Sequence, residues 1–130
     1  MCGDGEIEEG QIWEAAMFAG FKKLDNLTVI VDNNNLQIDG SIDEVCSPYP
    51  IPEKFEAFGF NVISIDGHDF DAIEKAFEEA NATSGKPTAI IATTTKGKGV
   101  SFMENQCGWH GKAPNDEEFE TALKDLEVNA

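Results

Sequence analysis

Apolar and polar positions alternate along the chain with two different periods, and the order of those periods predicts the fold. From Glu8 to Leu24, apolar Ile12, Ala15, Ala16, Ala19 and Leu24 recur at helical spacing, with Trp13, Met17 and Phe21 widening the stripe. Glu6, Glu8 and Glu9 stand at the start of this helix and Lys22-Lys23 at its end, as the helix dipole favours. Gly10 and Gly20 weaken its intrinsic propensity, so it is expected to depend on packing. The small face formed by Ala15, Ala16, Ala19 and Gly20 suits close approach to a sheet or a second helix. Leu27 to Val31 is then a short β-branched run of the kind buried on both faces of a parallel sheet.

Ser41 to Pro52 predicts a loop, with Pro48, Pro50 and Pro52 alternating, and Pro52 opens a short helix that Gly59 ends. Phe60 to Asp66 predicts a second strand. Gly67-His68-Asp69 turns into a helix from Asp69 to Thr83, striped by Phe70, Ile73, Ala76, Phe77 and Ala80. Thr88 to Thr94 predicts a third buried strand, with Lys96-Gly97-Lys98-Gly99 at its carboxyl end. A last helix from Asp116 to Leu126 is capped by Asn115, and the tail from Glu127 to Ala130 is expected to fray. Strands alternating with helices of this length imply an α/β fold, a parallel sheet flanked by helices. At 130 residues, one domain is expected over 1–130.

Composition narrows the partners. Twenty-five acidic against 9 basic residues give a net charge of −16, which argues against nucleic acid and anionic membrane surfaces. An acidic domain still binds an anionic ligand when a divalent metal and backbone N–H groups supply the positive field. Cys2, Cys46 and Cys107 are odd in number and widely spaced, as reduced thiols would be. No signal peptide and no apolar run of membrane-spanning length is evident, so a cytoplasmic location is expected.

The candidate chemistry lies at the ends of the stretch Gly3 to Gly40. Gly3-Asp4-Gly5 opens it and Asp32-Asn33-Asn34-Asn35 follows its strand, so the α/β connection brings both loops to one edge of the sheet. The Asp4 carboxylate and an asparagine amide are oxygen ligands of the kind Mg²⁺ takes, and the glycines let a diphosphate approach the backbone. Chemistry alone does not separate Asn33, Asn34 and Asn35; spacing favours Asn34. Asp4 is only three residues from the amino terminus, with too little chain before it for a strand, so a frayed end is expected there unless something else holds it. Lys96 and Lys98 read equally as solvated loop lysines, His110 as a surface histidine, and Glu9 and Glu14 as helix charges. His68 reads as a turn residue.

Gly3-Asp4-Gly5 with Asn34 thirty residues after Asp4 resembles the thiamine diphosphate motif. Glu9-Gly10, Trp13-Glu14-Ala15, Leu24-Asp25-Asn26-Leu27 and Gln37-Ile38-Asp39-Gly40 narrow the resemblance to transketolase, over essentially the whole chain through Gly108-Trp109-His110-Gly111. It implies a truncated thiamine diphosphate-binding fold, incomplete at the amino terminus: the diphosphate side of the amino-terminal domain of a transketolase. That enzyme transfers a two-carbon ketol unit between sugar phosphates, in the pentose phosphate pathway.

By resemblance, Asp4 and Asn34 bind Mg²⁺ (Ca²⁺ being a possible substitute) through their side chains and Leu36 through its backbone oxygen, two diphosphate oxygens and a water completing the octahedron. Gly5 gives its N–H to the diphosphate, Asn34 touches it too, Lys96 lies near the cofactor, and His110 contacts both cofactor and sugar as the catalytic candidate. Glu9 and Glu14 match acidic residues near a subunit interface.

The family's upstream histidines and glycine loop have no counterpart here, nor does the activating glutamate of its pyrimidine-binding domain. The position of Cys107 is a histidine in some members. A partner subunit or domain is therefore implied, together with a homodimer or higher assembly. The alternatives are a truncated non-catalytic thiamine diphosphate-binding module and an inactive self-associating fragment.

Overall fold

The computed structural model describes residues 1–128. Four strands form one fully parallel sheet: β1 (Cys2–Gly3), β2 (Thr28–Asn33), β5 (Asn61–Asp66) and β6 (Thr88–Thr93), in the spatial order β1-β2-β6-β5. A second, two-stranded antiparallel ribbon joins β3 (Leu36–Gln37) to β4 (Gly40–Ser41). Helices α1 (Gly10–Lys22), α2 (Ile42–Val45), α3 (Ile51–Ala57), α4 (Phe70–Ala82) and α5 (Asp116–Val128) complete the regular structure, with 3-10 turns at Glu6–Glu8 and Cys107–Trp109. The expected α/β class is the observed one.

β6 is the centre of the sheet. Thr88 to Ala92 are all buried, because β2 pairs along one side and β5 along the other over six residues each. One face of the sheet packs Val31, Ala89 and Ile91 against Ala16 and Ala19 of α1 and against Ile51 and Phe55 of α3. Phe55 is fully buried and sits 5.2 Å, ring to ring, from both Trp13 and Phe60. The small face of α1 serves this contact: a Cβ on Gly20 would fall 1.7 Å from the Phe58 carbonyl oxygen. Lys23, in the left-handed region at φ 53°, ends α1, and Leu24 N–H reaches back to Ala19 O at 3.1 Å while Lys23 N–H bonds Gly20 O. This is the Schellman arrangement, here with lysine where glycine is usual.

Several expectations need correcting. The amino terminus is held: Cys2 and Gly3 pair with Val31 and Asp32, since two extended residues suffice to add rungs to an existing parallel strand. The first helix begins at Gly10, because the chain from Glu6 to Glu8 turns more tightly. β2 runs on through Asn33, and of its residues only Val31 is buried, because β1 pairs with no more than its last part. The stretch 41–52 is not all loop: it holds Ser41 of β4, α2 and the start of α3. Phe70 is 87% exposed, standing at the first position of α4 where its stripe has not yet reached the sheet, and Phe21 is 78% exposed on α1. Glu127 lies within α5, while 129–130 of the tail lie outside the described residues. Asn115 does cap α5: its side chain accepts from Glu118 N–H, and the Glu118 carboxylate accepts from Asn115 N–H, a reciprocal capping box.

Candidate functional site at the carboxyl ends of the strands

The site begins one residue past β1. Asp4 N–H donates to Asp32 O at 3.1 Å, continuing the parallel ladder, and the turn then drives the Asp4 side chain inward until it is 1% exposed. Its two carboxylate oxygens accept from Gly5 N–H at 2.9 Å and Asn35 N–H at 2.5 Å. Burial nevertheless pushes this carboxyl above its ordinary value, and the nearby Asp32 carboxylate pushes it the same way; the two N–H donors oppose the shift.

The second loop leaves β2. Asn35 adopts φ 67°, a conformation asparagine tolerates better than most residues, and this lets Asn34 Oδ1 accept from Leu36 N–H at 3.1 Å. The antiparallel ribbon then folds back, with Asn35 O accepting from Ile42 N–H. Gln37 Nε2 donates to Glu8 Oε1 at 2.8 Å, tying the ribbon to the turn after Asp4. The two loops touch closely: a Cβ on Gly5 would lie 2.7 Å from Gln37 Cβ. Asn33 is engaged elsewhere, accepting from the Tyr49 hydroxyl at 2.8 Å, and Asn35 is exposed.

The third loop leaves β6. Thr94 N–H donates to Asn33 O at 3.1 Å and its hydroxyl donates to the Asp32 carboxylate. The chain then turns at Gly97, where φ is 73° and a Cβ would meet Met103 backbone at 2.7 Å. Lys96 O accepts from Asn105 N–H at 3.0 Å. His110 follows the 3-10 turn, which Trp109 fixes by donating its indole N–H to Phe102 O at 3.1 Å.

These loops enclose a cavity of about 520 Å³, and Asp4, Gly5, Asn34, Leu36, Lys96 and His110 all line it. All six residues singled out from the sequence thus meet in one place. Of the three asparagines after Asp32, Asn34 alone reaches it. Sequence reasoning missed Asp32, Gln37 and Thr94, which brace the loops. It passed over Asp32 because the strand was expected to stop at Val31. Glu9 and Glu14 are exposed on or beside α1, away from the cavity lining. Asp32, Asn34 and Lys96 also border a neighbouring cavity of about 470 Å³, lined with Ile30, Ile65 and Ile90 on the sheet face away from α1.

Beside Asp4 the same cavity is lined by Asn34 and Leu36, which offer an amide oxygen and a main-chain oxygen, and by Lys96 and His110. Among the described residues no group of three or more His, Cys, Asp or Glu could hold a metal. A hard ion that takes few protein charges and completes its shell from an anionic ligand fits such a donor set better than a thiol- or imidazole-seeking metal.

The fold and site define an open parallel α/β domain whose polar groups gather beyond the carboxyl ends of its strands, where such sheets bind ligands. The chain belongs to the transketolase family: residues 1–130 match the family described as transketolase, thiamine diphosphate binding domain. It is 47% identical over 127 residues to a 6-deoxy-6-sulfo-D-fructose transketolase subunit of a Clostridium species (strain MSTE9), which covers 98% of this chain and 46% of that protein. Identity to an apulose-4-phosphate transketolase subunit of Phocaeicola vulgatus is 42% over 126 residues, 97% of this chain and 45% of that one. The crystal structure of Campylobacter jejuni transketolase superposes with a TM-score of 0.90 at 40% identity, covering 97% of this chain and 20% of that chain. The chain thus spans less than half the length of these curated relatives. Among the described residues no helix is long and apolar enough to cross a membrane.

Proposed function

We propose that this chain holds Mg²⁺ and the diphosphate end of thiamine diphosphate, as the diphosphate-side part of a transketolase moving a two-carbon ketol unit between sugar phosphates. The observation that carries this reading is Asp4, a carboxylate only 1% exposed that lines the same cavity as Asn34 and Leu36. Asp4 and Asn34 would hold the ion by their side chains and Leu36 by its carbonyl; Ca²⁺ could substitute. Gly5 lines the same cavity, and its N–H, which donates to Asp4 Oδ1, would be shared with the diphosphate. Lys96 adds a positive charge to that cavity, and His110 stands at its wall where it can touch cofactor or sugar. Bound thiamine diphosphate supplies the electron sink for breaking and making the carbon–carbon bond. The residues of this chain anchor it, orient it and neutralise its charge.

A net charge of −16 makes the metal central, because the anionic cofactor has few basic side chains to meet. Activation of the ring end falls to a pyrimidine-binding domain or subunit, in keeping with the chain's span of less than half its relatives. A homodimer or larger assembly with that partner, working on sugar phosphates in the cytoplasm, completes the proposal. The test is calorimetric titration with thiamine diphosphate, with and without Mg²⁺, repeated on Asp4→Ala. Mg²⁺-dependent binding lost in the variant is expected; binding indifferent to both Mg²⁺ and Asp4 overturns the reading. Transketolase turnover by this chain alone would overturn the need for a partner.

The exposure of Phe21 and Phe70 favours a second reading, an inactive self-associating fragment. A strictly monomeric chain on sedimentation removes it.

A further inference from the structure

β5 and β6 end in register, Asp66 beside Thr93, so the turns that leave them run side by side. Gly67 N–H donates to Thr93 O at 2.7 Å, extending the ladder by one rung, and a Cβ at Gly67 would lie 2.5 Å from Thr94 Cγ2. At the next position His68 is fixed by its own N–H, which donates to Asp66 Oδ1 at 2.9 Å. Its imidazole crosses to the neighbouring turn, where Nε2 accepts from Thr95 N–H at 2.7 Å. Thr95 precedes Lys96, so this bond fixes the backbone next to the lysine that enters the 520 Å³ cavity.

An imidazole nitrogen accepts a hydrogen bond only when it carries no proton. With Nε2 accepting, the neutral ring carries its hydrogen on Nδ1; the imidazolium presents N–H at both nitrogens and would meet the Thr95 N–H head-on. We propose that His68 is a positioning residue: as the neutral Nδ1–H tautomer it holds the Thr95 amide and so places Lys96, and its protonation releases that turn.

Histidine is the side chain whose charge ordinarily changes between pH 5 and 8. The charged groups around it come from every neighbouring element. Asp66 ends β5 and Asp69 caps α4. Lys96 and Lys98 belong to the turn after β6, and Asp32, on β2, borders the same apolar cavity as His68. The effect on ligand binding rests on the role proposed for Lys96; the hydrogen bond and its proton linkage do not.

Two measurements test this. In ¹⁵N-labelled protein titrated from pH 8 to pH 5, the His68 ring is expected as the Nδ1–H tautomer at high pH, and the Thr95 amide resonance moves with the same midpoint as the ring. An Nε2–H tautomer, or a Thr95 amide indifferent to the ring, overturns the proposal. In titrations with Mg²⁺ and thiamine diphosphate, His68→Ala is expected to weaken binding several-fold at pH 8, and the gap between wild type and the variant to close as the His68 ring, followed by its own resonances, takes up its proton. His68→Gln, whose Oε1 reaches about as far as Nε2 and stays unprotonated throughout, restores binding without the proton-linked step. Equal binding by His68→Ala and wild type at pH 8 refutes the positioning of Lys96. A linked Thr95 amide in a wild-type chain that binds no cofactor at either pH upholds the tautomer and its bond while overturning the cofactor reading.

Discussion

Gly20→Ala sets two effects of opposite sign against each other inside one helix. By intrinsic propensity alone, alanine in place of a mid-helix glycine stabilises by about 1 kcal/mol. Packing opposes this, because the added Cβ would lie 1.7 Å from the Phe58 carbonyl oxygen and 2.9 Å from its carbon. Separations below 3.0 Å are essentially never seen, so opening the contact from 1.7 Å requires a displacement of about 1.3 Å between α1 and the end of α3. The obstacle is backbone and cannot rotate aside. Phe58 also packs 6.2 Å from Trp13, whose ring lies 5.2 Å from fully buried Phe55, so the displacement reaches the core.

Overpacking of this kind costs about 1–3 kcal/mol and sometimes more. Net of propensity, a loss of up to about 2 kcal/mol is expected, lowering Tm by up to roughly 8 °C for a domain of this size. Gly10→Ala is the matched control: it lies at the start of the same helix, where a Cβ meets nothing within 4 Å. It should leave Tm unchanged or raise it. Urea melts followed by circular dichroism would decide the matter; a Gly20→Ala variant as stable as Gly10→Ala would refute the reasoning.

Three further outcomes follow from the site and its supports. Gly5→Ala should lower the affinity for thiamine diphosphate with Mg²⁺ at least tenfold, about 1.4 kcal/mol, because the Cβ forces the ribbon away through Gln37; combining it with Gln37→Gly should recover part of the loss in the same titration. Thr94→Val keeps the shape but removes the hydroxyl that donates to Asp32, and a loss of about 1–2 kcal/mol is expected in urea melts. The bond from Lys112, 2.8 Å away, and that from Asn115 N–H hold the Glu118 carboxyl below its ordinary value of 4.5. A depressed carboxyl contributes stability that is present above pH 4.5 and is lost as pH falls through its folded value. Glu118→Gln should therefore lower Tm at pH 7, and its difference from wild type should shrink as the pH is brought well below 4.5; a constant offset would contradict that linkage.

What was legible in the sequence follows from which forces are local. The runs Leu27–Val31, Phe60–Asp66 and Thr88–Thr94 announce strands, each within a residue or two of the observed ends, because β-branched residues crowd between turn formers, and α4 announces itself through Ile73, Ala76 and Ala80. Asp4, Gly5 and Asn34 were legible because loops at the carboxyl ends of neighbouring parallel strands converge, whereas Leu36, Lys96 and His110 were indicated by the family resemblance alone. What was hidden depends on partners distant in the chain. β1 is two residues long and exists only because Val31 and Asp32 offer it an edge. The ribbon at Leu36–Ser41 lies within a stretch rich in Asn, Asp and Gly, whose turns mask it. Phe70 carries an apolar signal but no neighbour buries it. His68 looked like a turn residue, although the register of β5 with β6 was enough to set residue 68 beside residue 95 once the strands were aligned.

The place of β6 has a consequence for how the molecule is made. It is the last strand of the main sheet in chain order but an inner one in space, flanked by β2 and β5, which do not pair with each other. In chain order β1, α1 and β2 precede the other strands of this sheet, and they bring Asp4 N–H to Asp32 O. β5 then waits with an unmatched edge until residues 88–93 emerge and insert between the two halves. Any nascent chain halted before that point carries two open edges together, an invitation to intermolecular strand pairing. The arrival of one strand closes both edges and, in the same step, delivers Thr94 to Asp32 and Lys96 to the cavity.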